Sequence, residues 1–206
     1  MAESKKTSQV KEIVQALSTF FRISLSKGRD WITIAEEVER TKNYLIIQKM
    51  RYQDILDFKI EMEESVSQYT VLKLILQPLV ENALYHGIKN KRHGGVIVVR
   101  AKHGNENEIL LEVEDNGIGF TPQKLAQLRS ELSDESDEIR MESGFGVGNV
   151  NKRIRLYYGK PYGLSIKSEY ETGTCATLVI PAKKENDIRP ESLSVGESIW
   201  VPLDIY

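Results

Sequence analysis

Asp115-Asn116-Gly117-Ile118-Gly119-Phe120 closes an alternating apolar run, and Gly144-Phe145-Gly146-Val147-Gly148-Asn149 opens a helical one. Upstream of both lies Gln77-Pro78-Leu79-Val80-Glu81-Asn82-Ala83. Each piece is weak alone, and the ordered set is specific. One carboxylate, one amide and two glycine-rich pockets supply groups for a purine ring, a divalent cation and a row of phosphates.

A carboxylate at a strand end, such as Asp115, can accept a hydrogen bond from an exocyclic ring amine. Gly117 and Gly119, lacking Cβ, would let the backbone approach a flat ring. A plain Asp-Asn-Gly turn suits the same residues. The second cluster, with Gly144, Gly146 and Gly148, stands directly before a helix. Backbone N–H groups at a helix start, with the dipole behind them, favour anions. A flexible hinge is the bland reading of that cluster. Its spacing is not that of a dinucleotide fold, which also requires a preceding strand. Asn82 lies on an otherwise apolar helix, where a buried amide is costly unless satisfied. As an oxygen ligand to Mg²⁺ it has a purpose, because Mg²⁺ is held by few protein oxygens together with substrate phosphates. Glu81 points about 100° away around that helix. His86 follows Asn82 by one turn, suited either to a phosphate or to capping the helix end.

Periodicity places these pieces. Ile13, Val14, Leu17, Phe20, Phe21 and Leu25 predict an amphipathic helix over 9–27, ended by Lys27-Gly28. A second helix starts at Thr33 with Glu36 completing a capping box, and runs to about Arg51. Leu56, Phe58, Ile60 and Met62 alternate as a strand. A mostly apolar helix is expected from Val71 to about His86. Paired strands follow at 96–101 and 109–114, then a helix from Thr121-Pro122. Residues 131–143 are acidic and without apolar period, which suggests a mobile lid between the two glycine clusters. A helix over 147–158 and strands at 164–168 and 176–180 complete the pattern. No repeat is visible.

Bulk numbers exclude several classes. Lys plus Arg is 28 against 30 for Asp plus Glu, so no basic stripe for nucleic acid is expected. The single cysteine, Cys175, excludes an internal disulfide or a multi-thiolate zinc cluster, and fits a reducing compartment. The first residues are polar, unlike a secretory signal, and no window approaches the ~18 apolar residues of a membrane span.

The three pieces resemble the N box and the two glycine boxes of the ATP-binding catalytic domain of sensor histidine kinases. These belong to the gyrase, chaperone, histidine kinase and MutL ATPase superfamily. The subfamily resembled is the LytS/YesM type, on Leu76 to Ala83 with His86-Gly87, on Leu25-Ser26-Lys27-Gly28, on Tyr44 to Tyr52, and on Gly173-Thr174 followed by a strand and Pro181. The resemblance covers roughly residues 9–183. It implies an α+β fold, a two-layer α/β sandwich of the Bergerat type, with a mixed sheet of about five strands backed by helices. It implies a partial dimerisation region at 1–53, the ATP-binding domain at 54–185 and a tail of unassigned role at 186–206. By the same resemblance Asp115 binds the adenine amine, Asn82 holds Mg²⁺, the three glycines at 144, 146 and 148 cradle the phosphates, and Thr174 lies near adenine. The implied reaction moves the ATP γ-phosphoryl to a histidine, for relay to a response regulator receiver domain. The implied setting is the cytoplasmic portion of a membrane-anchored homodimer.

Three departures qualify that carry-over. The subfamily acceptor lies in an Asn-Pro-His-Phe motif on an earlier helix, whereas the histidines here are His86, His93 and His103. The chain therefore reads as truncated, and neither self-phosphorylation nor a tight dimer is expected of it alone. Tyr85 stands where most members have Lys, so a phosphate contact is lost or moved to Lys89 or Arg153. Pro78 stands where hydrolysing relatives have a water-activating Glu, so hydrolysis is expected to be slow. A degenerate, nucleotide-dependent binding module that transfers nothing is the alternative reading.

Overall fold

The computed structural model describes residues 2–25, 29–91, 93–133 and 146–185. Lys27-Gly28, Gly144, most of the expected lid and the 186–206 tail lie outside the described residues. Five strands form one mixed sheet: β2 (Leu56–Met62), β4 (Gly95–His103), β5 (Glu108–Asp115), β6 (Gly163–Glu169) and β7 (Gly173–Pro181), in the order β2-β4-β5-β7-β6. Only the β2–β4 pair is parallel. Alternation gives the sheet two unlike faces. One carries Ile97, Val99, Ile109, Leu111, Leu178 and Ile180, all fully buried. The other is charged, with Arg100 between Glu61 and Glu114, and Lys102 2.9 Å from Glu112.

Helices cover the apolar face, giving the expected two-layer sandwich. They are α3 (Gln77–Asn82), which continues as a π-turn over Ala83–Ile88, α4 (Pro122–Ser133) and α5 (Gly146–Tyr158). Leu79, Val80, Leu84, Ile88, Val147, Val150 and Ile154 fill the layer between. Leu132 is buried, so residues 131–133 finish α4 and do not open a loop.

A helical hairpin docks on this sandwich. α1 (Ala2–Leu25) begins ahead of the expected start, because the polar residues before Val10 include good helix formers and simply extend it. α2 (Ile34–Arg51) has the full capping box: Glu36 N–H donates to Thr33 Oγ1 at 3.1 Å, and Thr33 N–H donates to Glu36 Oε2 at 2.9 Å. Ala16 and Ile23 of α1 are buried, and Phe20 stacks against Tyr44 at 6.2 Å. Phe20 therefore has a partner, whereas Val10, Val14, Phe21 and Leu25 are 60%, 60%, 55% and 72% exposed.

The expected helix start at Val71 is corrected. Thr70–Leu72 is a strand, β3, paired antiparallel with β1 (Trp31–Thr33). Short apolar runs do not separate strand from helix by period, and here the β-branched Thr70 and Val71 find a partner in Trp31-Ile32-Thr33. α3 then starts at Gln77, with Pro78 in its first turn, where a missing N–H costs nothing. Among the described residues no helix is long and apolar enough to cross a membrane.

Candidate functional site

The site is assembled around the end of β5. Asp115 ends that strand opposite Thr174 of β7. It is 5% exposed, and its Oδ1 accepts from Gly117 N–H at 2.8 Å. Burial pushes its carboxyl up from 3.8 to about 6, against the opposing pull of backbone donors at Gly117 and Thr174.

Three chain segments close on Asp115, two on its side chain and one on its backbone, and each approaches through a glycine. A Cβ on Gly87 would lie 2.5 Å from Asp115 Oδ1. On Gly117 it would lie 2.4 Å from Gly87 Cα, and on Gly173 2.0 Å from the Asp115 carbonyl oxygen. Ile118 N–H donates to Gly87 O at 3.2 Å, which docks the first glycine box onto the π-turn. π-turns inside helices recur at functional sites.

Gly119 has φ +63, and a Cβ there would lie 2.1 Å from Glu169 O. At both Gly117 and Gly119 the structure thus gives a packing reason for glycine, distinct from the approach to a ring. Thr174 is buried, with its hydroxyl 2.9 Å from Ser168 Oγ; that atom accepts from Phe120 N–H at 2.8 Å. Ser168 escaped sequence reasoning because a serine in an alternating strand carries no signal of its own.

The second glycine box lies against the first turn of α3. A Cβ on Gly146 would lie 3.1 Å from Pro78 Cβ, whereas one on Gly148 would meet nothing within 4 Å. Among the described residues nothing crowds Gly148 at the start of α5. Asn151, buried, holds α5 in place by donating to Leu132 O at 2.9 Å and accepting from Leu164 N–H at 2.8 Å. The N box, the first glycine box and the start of α5 thus meet at one end of the sandwich.

Asn82 ends α3 half-buried, and among the described residues its amide has no hydrogen-bond partner. Glu81 is engaged elsewhere, accepting from Gln77 Nε2 at 2.8 Å. His86 is exposed on the π-turn. Tyr85 bonds the Tyr44 phenol, which burial keeps protonated, and faces Lys89 Nζ at 5.7 Å. Arg153 of α5 donates to Lys73 O at 3.2 Å. Among the described residues no group of three or more His, Cys, Asp or Glu side chains could hold a metal. One free amide oxygen suits a cation that brings its remaining ligands with it, as a phosphate-bound Mg²⁺ does.

The family model for the histidine kinase-, DNA gyrase B- and HSP90-like ATPases matches residues 68–184, and a histidine kinase model matches 1–56. The chain belongs to this ATPase family. Over 185 residues it is 32% identical to the sensor histidine kinase YesM of Bacillus subtilis, covering 90% of this chain and 30% of YesM. The sensor histidine kinase BtsS of Escherichia coli is also 32% identical, over 88% of this chain and 29% of its own length. The chain thus spans under a third of the length of these curated relatives. Among solved structures, the catalytic domain of the histidine kinase ThkA superimposes with TM-score 0.53 at 19% identity, over 75% of this chain and 97% of that domain. ThkA in complex with the response regulator TrrA gives TM-score 0.51 at 17% identity, over 87% of this chain and 49% of that one. Both share its fold, a mixed sheet backed by helices.

A titration follows from Asp115. Its folded pKa is raised, so its contribution to stability is fully present below about pH 4 and is lost as pH rises through about 6. Urea unfolding across that window should show stability falling with pH, and Asp115→Asn should flatten the slope. Equal slopes in both proteins would contradict the burial of an ionisable carboxyl.

Proposed function

We propose that this chain is the ATP-binding catalytic part of a two-component sensor histidine kinase. The observation that carries the reading is a buried carboxylate walled by Gly87 and Gly117, beside two helix segments fit for Mg²⁺ and phosphate. Asp115 accepts the adenine amine, and Thr174 borders the ring. Asn82 would hold Mg²⁺ through its amide oxygen, and the ion would supply charge neutralisation to the phosphates. The 144–148 glycines and the start of α5 hold the phosphates through backbone N–H groups. His86, exposed after Asn82, stands beside that row. Catalysis then rests on positioning and charge neutralisation, as is general for phosphoryl transfer. With Pro78 at the turn of α3 where hydrolysing relatives carry Glu, and Glu81 bonded to Gln77, α3 offers no carboxylate to activate water.

The receiving histidine stands on a separate helix, and the phosphoryl passes from there to an aspartate of a response regulator receiver domain. The whole protein is a membrane-anchored homodimer with this part in the cytoplasm. The exposed stripe Val10, Val14, Phe21 and Leu25 supports the dimer. Phe21→Ser should shift sedimentation toward monomer without lowering the urea midpoint, whereas Phe20→Ser should lower the midpoint. An association unaffected by Phe21→Ser would place the interface elsewhere.

Tyr85 against Lys89 favours a second reading, a nucleotide-dependent clamp that transfers nothing. Mixing this chain with a fragment bearing an acceptor helix separates the two. Acid-labile phosphate should appear on the fragment with wild type. It should fall with Asp115→Asn, which weakens adenine nucleotides by about 1.5–3 kcal/mol, the range for a hydrogen bond to a charged group. Nucleotide binding with no transfer would favour the clamp.

Gly148→Ala tests the phosphate site. Among the described residues a methyl there meets nothing within 4 Å, and Ala is the better helix former, by up to about 1 kcal/mol in a helix interior. The variant should melt higher yet bind a triphosphate more weakly, with adenosine affinity unchanged. Unchanged triphosphate affinity would remove Gly148 from the site.

A further inference from the structure

The turn that leads from β3 into α3 is gripped from two other helices. Glu37 of α2 is fully buried. Its carboxylate accepts from the backbone N–H groups of Leu74, Ile75 and Leu76 at 3.2, 3.0 and 3.0 Å. It also accepts from Arg40 Nε at 3.0 Å and Nη2 at 2.7 Å. Arg40, likewise fully buried, donates its other arm to Gln77 Oε1, at the first residue of α3. Gln77 Nε2 donates in turn to Glu81, the neighbour of Asn82. The Arg40 guanidinium lies 5.8 Å from the Phe20 ring of α1. From the other side Arg153 of α5 holds the carbonyl of Lys73. Leu74 sits at φ +64, a conformation that a branched residue rarely adopts and that persists only where its surroundings impose it.

A buried ion pair is weak evidence for stability, because apolar residues of similar volume often serve as well. This pair spends its hydrogen bonds on the backbone ahead of α3 and on its first side chain. We propose that Glu37, Arg40 and Gln77 are positioning residues: they fix the pose of α3, and so of Asn82, from the α1–α2 hairpin. Any motion of α2 is then felt at the metal-and-phosphate side of the cleft. The adenine side is built on β5 and β7 and meets this helix only at its far end, through Gly87 against Asp115 and Ile118 N–H on Gly87 O. The effect is reciprocal, so filling the cleft biases the hairpin.

This inference rests on the nucleotide reading above, and its test separates the two. Calorimetric titrations of adenosine, and of a non-hydrolysable ATP analogue with and without Mg²⁺, are run on wild type, Gln77→Ala and Arg40→Lys. Gln77 is only half-buried at a helix start, so its variant folds even if Arg40→Lys does not. The Mg²⁺-dependent gain in affinity should fall by about fivefold or more, the lower end of typical coupling between sites. Adenosine affinity should fall by less than that. A wild-type Mg²⁺ gain in Gln77→Ala would overturn the proposal, as would a parallel loss of adenosine and analogue. Wild type that binds no adenosine would instead overturn the nucleotide reading, and this inference with it.

Discussion

A carboxylate kept from water at the end of β5 sets the terms for everything around it. Asp115 cannot be buried cheaply in charged form, and burial has raised its pKa to about 6. Backbone donors at Gly117 and Thr174 offset part of that cost. Gly87 and Gly117 lie against the carboxylate, and Gly173 against the backbone carbonyl of the same residue, only because none of them carries a Cβ. The π-turn, the first glycine box and the β6–β7 turn are thus packed against one residue. An acceptor so held is rigid before any ligand arrives, which is the condition for selective recognition of a small donor.

A second buried carboxylate governs the opposite side of the cleft. Glu37 is paired within its own helix, yet three of its bonds reach the turn before α3. Arg153 reaches the same turn from α5, the helix that opens at Gly146. The helical hairpin, the N box and the second glycine box therefore share one short backbone segment. Packed side chains and hydrogen bonds of this kind, running through rigid elements, are what carries energetic coupling between distant parts of a fold.

Much of this was legible in the sequence because strong patterns coincide there. The alternation from Ile109 to Glu114 ends in Asp-Asn-Gly-Ile-Gly, so both the strand and the placement of Asp115 at its end follow from periodicity. Thr33 with Glu36 announced the start of α2. The ribbon of Trp31–Thr33 with Thr70–Leu72 was not legible, since three-residue strands have no period and depend on a distant partner. The packing roles of Gly117 and Gly119 were equally hidden, because they depend on Gly87 and Glu169 brought close by the fold. Glu37 left a signal that could have been read: it interrupts the stripe Ile34, Val38, Thr41 and Leu45 on the buried face of α2, with Arg40 three residues on. A charge inside an apolar stripe, with its opposite one turn away, is the mark of a buried pair.

The most direct test of the account is to follow the Asp115 carboxyl carbon by NMR as pH is varied, with and without saturating adenosine. Adenosine carries no phosphate, so any change reports the ring alone. In the free chain the carboxyl should titrate near pH 6. A ligand amine that bonds the ionised form favours that form, so adenosine should move the titration to lower pH. An identical titration in the presence of bound adenosine would contradict the central claim, that this buried carboxylate is the group that reads the base.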